Sequence, residues 1–470
     1  MRILVVAPIF LNTRRVASQR ARALAEVLAQ RGNAVTVLTA AVEEEESPPP
    51  PGLQVLEARA LKDTYGKAGS DLPLGTRGLV LLSVLPTEPL AAALRLLQMG
   101  PAPRGVRTWA QSRFDALNTA RFSTANTVKG LLEGSRWARD AYATFRESDE
   151  GAYDVVFSTF GPFASIWVAQ KAMRAGLAKF WVADFRDPVA KSKTFPWVQG
   201  WRLASLRRAM RGADLVTAVS KGVRKSLLSA RGCAQCADKT YVLTNGFLKR
   251  AAGEESATPD PSVVKIAYVG QLYAEKSRPE MLFEGLKAAT EKDPATSFEF
   301  HYAGGQSALV RELAQEAGVE GALIDHGFVS HEDALKLQHE ADALLVLAWN
   351  EVGNEGVLSA KFFEYMGARK PMIALVSGRK PGSELAEMVE DLRLGVAAEY
   401  VEGAAGTAKI ARFLEDLAAA KRVGKPLYEA DERRVAEFDY RNIAKRLESL
   451  IETRGERPRR KRRWLLATGS

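Results

Sequence analysis

Cysteine is nearly missing from this chain: Cys233 and Cys236 are the only two in 470 residues. No disulfide framework beyond that one pair is available, and a reduced, cytosolic setting fits best. A structural zinc site needs four ligands, and no second CxxC exists, so the pair reads as a chance spacing. Histidine is scarce too. All four lie between positions 301 and 339, and residues 1–247 have none. That excludes a histidine base anywhere in the first half; the four present are read as structural or surface residues. No stretch reaches the roughly 18 uninterrupted apolar residues of a spanning helix. The nearest, residues 79–99, is broken by Pro86, Glu88, Pro89 and Arg95. The apolar start runs straight into Arg14 and Arg15 and lacks the length and cleavage signature of a signal peptide.

What is present is ordinary for a soluble protein: 46% hydrophobic and 26% charged residues. This excludes collagen, a disulfide mini-protein and a wholly disordered chain. The length predicts two or three domains with cores that need no staple. The net charge of +10 is unevenly spread. Residues 1–247 hold 34 basic and 20 acidic side chains, residues 248–453 hold 25 and 35, and residues 454–470 hold 7 and 1. A basic half, an acidic half and a basic tail suggest two domains with different partners.

Hydrophobic periodicity alternates between strand and helix along most of the chain. Residues 2–8 read as a buried strand, 18–30 as a helix and 34–39 as a second strand, a βαβ unit that implies a parallel sheet. Residues 43–51 are a solvated loop. Residues 60–147 mix leucine with Pro, Gly and Arg; helices are expected there without definable ends, and they are candidates to face a membrane. Strands follow at 154–158, 180–184, 215–219 and 241–243, with helices at 164–175, 201–210 and 221–230 between them. Residues 251–261 are poor in apolar residues and rich in turn formers, the best linker candidate. A second series then runs through strands at 265–269, 297–303, 323–326, 343–347 and 371–375. Its helices fall at 279–292, 308–317, 334–339, 361–366, 404–421 and 430–452. Parallel sheets bind ligands at the carboxyl ends of their strands, so the expected site is a cleft between two such domains.

Two segments of the second series carry chemistry. In Tyr268-Val269-Gly270-Gln271-Leu272 a strand enters a glycine turn, and Lys276 follows. A lysine in that loop meets a diphosphate as a point charge; the plainer reading is a βα turn with a solvated lysine. The second segment runs Asn354-Glu355-Gly356-Val357-Leu358-Ser359-Ala360-Lys361-Phe362-Phe363-Glu364. Small residues lead into a helix whose free N–H groups suit phosphate oxygens. Glu364, one turn in, suits two ribose hydroxyls. Alternatively, Lys361 and Glu364 are a surface pair at i,i+3.

These residues resemble those of GT-B glycosyltransferases, and within that fold the large retaining family four. Gly327-Phe328-Val329-Ser330, residues 368–372, Thr244-Asn245-Gly246-Phe247 and Val182-Ala183-Asp184-Phe185-Arg186-Asp187-Pro188 fall in the family's order and spacing. The resemblance implies an α/β fold with two Rossmann-like parallel-sheet domains facing across a cleft. Its segments are expected at 1–247 (acceptor side), 248–262 (linker), 263–425 (nucleotide-sugar side), 426–453 (a C-terminal helix crossing back) and 454–470 (tail). It implies a nucleotide diphosphate sugar as donor substrate, with no cofactor and no metal. Donor binding falls to Gly270, Gln271, Lys276, Val357, Leu358, Ser359, Lys361 and Glu364, with Lys276 and Lys361 on the diphosphate and Glu364 on the ribose. Two positions depart from the family: Gly356 stands where a glutamate is usual, with Glu355 one place away as its substitute, and Gln271 stands where arginine is common.

In the first half, Arg186 and Asp187 follow a strand end and are the candidates to orient the acceptor, against a structural Arg–Asp pair. Glu355 joins them as a candidate catalytic residue. Arg14, Arg15 and Arg20 are either anion contacts or a solvated face. The tail, with Trp464 among its arginines, fits an anionic membrane surface through 454–466 or an inert tail better than nucleic acid. The combined expectation is a cytoplasmic enzyme at the inner membrane face. It transfers a sugar to an anionic or lipid-linked glycan acceptor, and no nucleic acid is expected as partner. The alternatives are a same-fold sugar-nucleotide epimerase or hydrolase and a catalytically silent nucleotide-sugar-binding subunit.

Overall fold

The computed structural model describes residues 1–11, 16–42, 49–59, 88–99, 103–148, 151–160, 163–187, 195–248, 260–272, 276, 278–425 and 427–456. Arg14, Arg15, most of the proposed linker and the tail beyond 456 lie outside the described residues. Two compact units emerge. The first holds Met1–Thr217, Leu227–Tyr241 and Ser449–Ser470; the second holds Ala218–Ser226 and Val242–Glu448.

The first sheet has seven strands in the order β3-β2-β1-β4-β5-β6-β7. They are β1 (Arg2–Val6), β2 (Ala34–Ala40), β3 (Leu53–Ala58), β4 (Tyr153–Phe160), β5 (Ala178–Phe185), β6 (Leu215–Ala218) and β7 (Thr240–Val242). Val, Leu and Ile fill β1 because both of its faces are covered: Ile3, Leu4, Val5 and Val6 are all buried. Helices α1 (Val16–Gln30), α2 (Glu88–Met99), α3 (Arg104–Ser148), α4 (Ala164–Arg174), α5 (Pro196–Gly212) and α6 (Lys221–Ser229) are interleaved with these strands. The region without definable ends in the sequence is thus two helices over its described part. The second, α3, runs for 45 residues. Among the described residues, no helix is long and apolar enough to cross a membrane.

The second sheet has six strands in the order β10-β9-β8-β11-β12-β13. They are β8 (Val263–Val269), β9 (Ser297–Ala303), β10 (Leu323–Asp325), β11 (Ala343–Trp349), β12 (Met372–Ser377) and β13 (Gly395–Glu399). Helices α7 (Glu280–Lys292), α8 (Ser307–Ala317), α9 (His331–Glu340), α10 (Ala360–Ala368), α11 (Glu384–Asp391) and α12 (Ala404–Arg422) complete the layers. One core packs Ile266, Phe283, Phe300 and Tyr302 with Leu414; the other packs Val346, Phe362, Phe363 and Met366 with Val389. Serine hydroxyls start three of these helices by accepting backbone N–H groups: Ser330, Ser359 and Ser383.

Three elements were not expected from the sequence, and a fourth differs in extent. Strands β3 and β13 and helix α11 carry weak signals, since β3 mixes Gln54 and Glu57 into its run and β13 is built on small residues. The late helix expected over 430–452 is two pieces, α13 (Glu432–Val435) and α14 (Tyr440–Gly455). The break lets Phe438 O accept the Phe247 N–H at 3.0 Å and Phe247 O accept the Tyr440 N–H at 2.9 Å. Gly246 is needed beside this bridge, because a Cβ there would lie 2.3 Å from Phe438 O. Arg454, counted with the tail in the sequence, ends α14 instead and donates to Asp238 O at 3.1 Å.

Candidate functional site

Each sheet changes direction of build between its first strand and the next one added on the other side, β1/β4 and β8/β11. Loops leaving the carboxyl ends of strands at such points form ligand sites in open α/β folds.

In the second unit, the loops after β8, β11 and β12 meet. Beyond β8, Gly270 lies against the stem of Lys361 from α10; a Cβ on Gly270 would sit 2.5 Å from Lys361 Cε. The Lys361 ammonium makes no hydrogen bond or ion pair to a described residue. Burial pushes its pKa below the usual lysine value, with Glu364 opposing that shift. The surface Lys–Glu pair considered from the sequence does not form as an ion pair. Glu364 instead accepts from Gln338 Nε2 at 2.8 Å. Tyr365, the next residue after Glu364, is fully buried, accepts the Val269 N–H at 3.3 Å and ties α10 to the end of β8. Burial drives its phenol well above the usual range. Gln271 is exposed beside this turn.

Lys276 is exposed, with its ammonium 4.7 Å from the centroid of the Trp349 ring at the end of β11. Its carbonyl accepts from Ser377 Oγ at 2.7 Å, so the loop after β8 is tied to the end of β12. Val357, Leu358 and Ser359 lead into α10, where Ser359 Oγ accepts the Phe362 N–H at 3.3 Å. Glu355 is held by Lys380 at 2.6 Å, and that hydrogen bond is the main cause holding its carboxyl below the usual range.

Gly356 has φ +73°, in the left-handed region. A Cβ there would sit 2.5 Å from Gly222 Cα and 2.8 Å from Ser220 Oγ. The residue that departs from the family glutamate therefore occupies a position without room for any side chain. Ser220 Oγ donates to Gly356 O at 2.7 Å and accepts the Val223 N–H at 3.0 Å. Glu384 completes the junction: its carboxylate accepts the Lys221 N–H at 2.8 Å and the Gly222 N–H at 2.9 Å, a charged cap on the first turn of α6. Burial raises its pKa against the effect of those two N–H groups. All these residues belong to the second unit. Sequence reasoning missed Ser220, Gly222, Gln338 and Glu384, which are distant in the chain and carry no motif of their own.

In the first unit the chemistry centres on Asp184 rather than on Arg186 and Asp187. Asp184 is fully buried and pairs in two-pronged fashion with Arg20, Nε to Oδ2 at 3.0 Å and Nη2 to Oδ1 at 2.8 Å. Thr217 Oγ1 donates to it at 2.6 Å and Thr159 Oγ1 at 3.3 Å. Arg20 is thus neither a solvated face nor an open anion contact; it neutralises a carboxylate where three strands end. Arg186 donates to Ala17 O at the start of α1. Asp187 is exposed beyond the strand.

His301 and His326 stack with ring centroids 5.2 Å apart, Nδ1 of the first meeting Nε2 of the second at 3.0 Å, and Glu299 holds the far nitrogen of His301 at 2.9 Å. Burial and then the neighbouring His301 hold the His326 ring below its usual pKa. Both cysteines are buried and unbridged, and burial pushes both thiols up. Among the described residues no group of His, Cys, Asp and Glu is arranged to hold a metal ion.

Residues 264–416 match the family model described as Glycosyl transferases group 1. No curated relative matches the chain. Among solved structures, sucrose-phosphate synthase from Thermosynechococcus elongatus is similar at 15% identity, over 96% of this chain and 98% of that one, with a TM-score of 0.58. A lipopolysaccharide outer core galactosyltransferase is similar at 12% identity, over 96% of this chain and 99% of that one, with a TM-score of 0.52. Likeness at such identities carries the fold. Over residues 264–416 this chain is thus similar to group 1 glycosyl transferases, and its two parallel sheets have the GT-B fold.

Proposed function

We propose that the chain moves a sugar from a nucleotide diphosphate donor to a hydroxyl of a glycan, lipid-linked or small-molecule acceptor, with retention at the anomeric carbon. The observation that carries this is Lys361. A half-buried ammonium with no ion-pair or hydrogen-bond partner among the described residues is costly, and this one, with only the field of Glu364 to offset its burial, lies between the Gly270 turn and the start of α10. A donor diphosphate supplies the missing charge. Lys276 adds a second cation, and the backbone N–H groups of Val357, Leu358 and Ser359 add donors at a helix start. Glu364, oriented by Gln338, takes the ribose hydroxyls.

Chemically, the bond from the anomeric carbon to the phosphate oxygen breaks while the acceptor oxygen bonds to the same face. The acceptor proton passes to the leaving phosphate, so no side-chain nucleophile and no metal are needed. The chain's work is then positioning and charge stabilisation. Arg186 and Asp187 orient the acceptor, and Glu355 contributes through its Lys380 pair. The acceptor is anionic or lipid-linked and is met at the inner membrane face from the cytoplasm, matching the basic first half. Polysaccharide synthesis is the corresponding process.

A catalytically silent nucleotide-sugar-binding subunit is the second reading. It is favoured by Gly356, which has no room for a side chain, and by Glu355, which is already paired. The test is a thermal-shift panel of nucleoside diphosphates and their sugars on the wild type and on Glu364→Ala. Stabilisation that rises with ligand concentration, and at least about tenfold weaker binding in the variant, supports the donor site. Unchanged affinity in Glu364→Ala removes the ribose assignment, and binding without turnover on any acceptor selects the silent subunit.

A further inference from the structure

Helix α2 has two apolar faces. Ala91 and Leu94 point inward and are buried. At helical spacing the opposite face is Ala92, Ala93, Leu96 and Met99, flanked by Leu90. Leu96 is 71% exposed, Met99 79% and Leu90 56%. A helix resting in water on one side keeps a polar stripe there; α2 has none. The apolar surface continues onto the first turns of α3, where Val106 and Trp109 are exposed and Arg113 lies 5.9 Å from the Trp109 ring centroid. The charges around it are mostly positive. Residues 88–122 contain five arginines, at 95, 104, 107, 113 and 121, and two acids, Glu88 and Asp115.

We propose that this end of the α2–α3 hairpin is the surface by which the chain lies on an anionic phospholipid bilayer. Leucine and methionine enter the acyl boundary, Trp109 sits at the interface where one edge is apolar and the other wet, and the arginines meet lipid phosphates. A partner protein would also cover the apolar side chains. The excess of five arginines over two acids instead matches a surface of uniform negative charge. The inference deepens the membrane reading of the proposed function, and it locates that contact in the described structure rather than in the tail.

The test is co-sedimentation of the full chain with phosphatidylcholine vesicles, with and without phosphatidylglycerol. It compares the wild type with Leu96→Glu/Met99→Glu and with Trp109→Ala. The wild type is expected to bind the anionic vesicles and to bind less as salt rises. The double variant is expected to lose at least about tenfold in partitioning while keeping its melting temperature, since both side chains are exposed. The proposal is overturned if the wild type ignores anionic vesicles or if the double variant binds them equally. It is also overturned if the wild type forms a dimer that the same substitutions dissolve, or if they lower the melting temperature and leave vesicle binding intact. Glu364→Ala separates this from the transfer reading: it should lose nucleotide and keep vesicle binding.

Discussion

The buried pair of Arg20 and Asp184 offers a quantitative test of how the first unit is held. Replacing Arg20 with methionine keeps most of the volume and removes the cation. Asp184, with no exposed surface, is left with only the hydroxyls of Thr159 and Thr217. Breaking a buried ion pair from one side costs about 3–5 kcal/mol, because a charge stays buried without its partner. With a denaturant slope of about 1–3 kcal/mol per molar urea, the midpoint should fall by at least about 1 M. Asp184→Leu should cost a similar amount by stranding the guanidinium. The double variant removes both charges, so it should be at least about 2 kcal/mol more stable than the sum of the single losses predicts. Tryptophan fluorescence reads this unit selectively: Trp181 is buried on β5 and donates to Ser158, whereas Trp349 is the only tryptophan between residues 242 and 448. A loss under about 1 kcal/mol in Arg20→Met, or strict additivity in the double variant, would refute the pair as the anchor of these strand ends.

Two further outcomes follow from the second unit. Gly356→Ala should lose about 2–5 kcal/mol in thermal unfolding, because a left-handed backbone and a backbone neighbour at 2.5 Å both oppose the new methyl. Gly305→Ala, where a Cβ meets nothing within 4 Å, is the control and should stay within about 0.5 kcal/mol. Glu384 has its folded pKa raised by burial, so the native state holds its proton more tightly than the unfolded chain does. Its contribution should therefore be present below the unfolded value of about 4.3 and be lost as pH climbs through the raised one. Glu384→Gln should flatten that slope in melts run at successive pH values; an unchanged slope would contradict the assignment.

Much of the fold was legible because its strands are buried on both faces and its helices are amphipathic. Strand β9, Ser297–Ala303, coincides with its sequence expectation at both ends. Elements without that contrast escaped, as β13 shows with its run of Gly and Ala. The positions proposed for the donor were legible as a motif, but their partners were not. Nothing local in the sequence says that Gln338 meets Glu364, 26 residues away, or that Ser220 meets Gly356, 136 residues away. Asp184 was visible only as part of a strand end; its burial and its pairing with Arg20, 164 residues earlier, come from the packing of α1 over the sheet. The histidines read as structural or surface residues, and the stack of His301 on His326 arises because β9 and β10 run parallel and side by side. The Gly356 departure looked like a lost carboxylate; the structure supplies a steric reason for glycine.

The activity proposed for this chain is transfer of a sugar from a nucleotide diphosphate donor with retention. Its most direct test is proton NMR of the turnover product, made with the nucleotide sugar that most stabilises the chain and an acceptor bearing a free hydroxyl. The expected product is a glycoside whose anomeric coupling matches that of the donor, with nucleoside diphosphate released in equal amount. A product of inverted configuration, or free sugar formed without a glycoside, would contradict it.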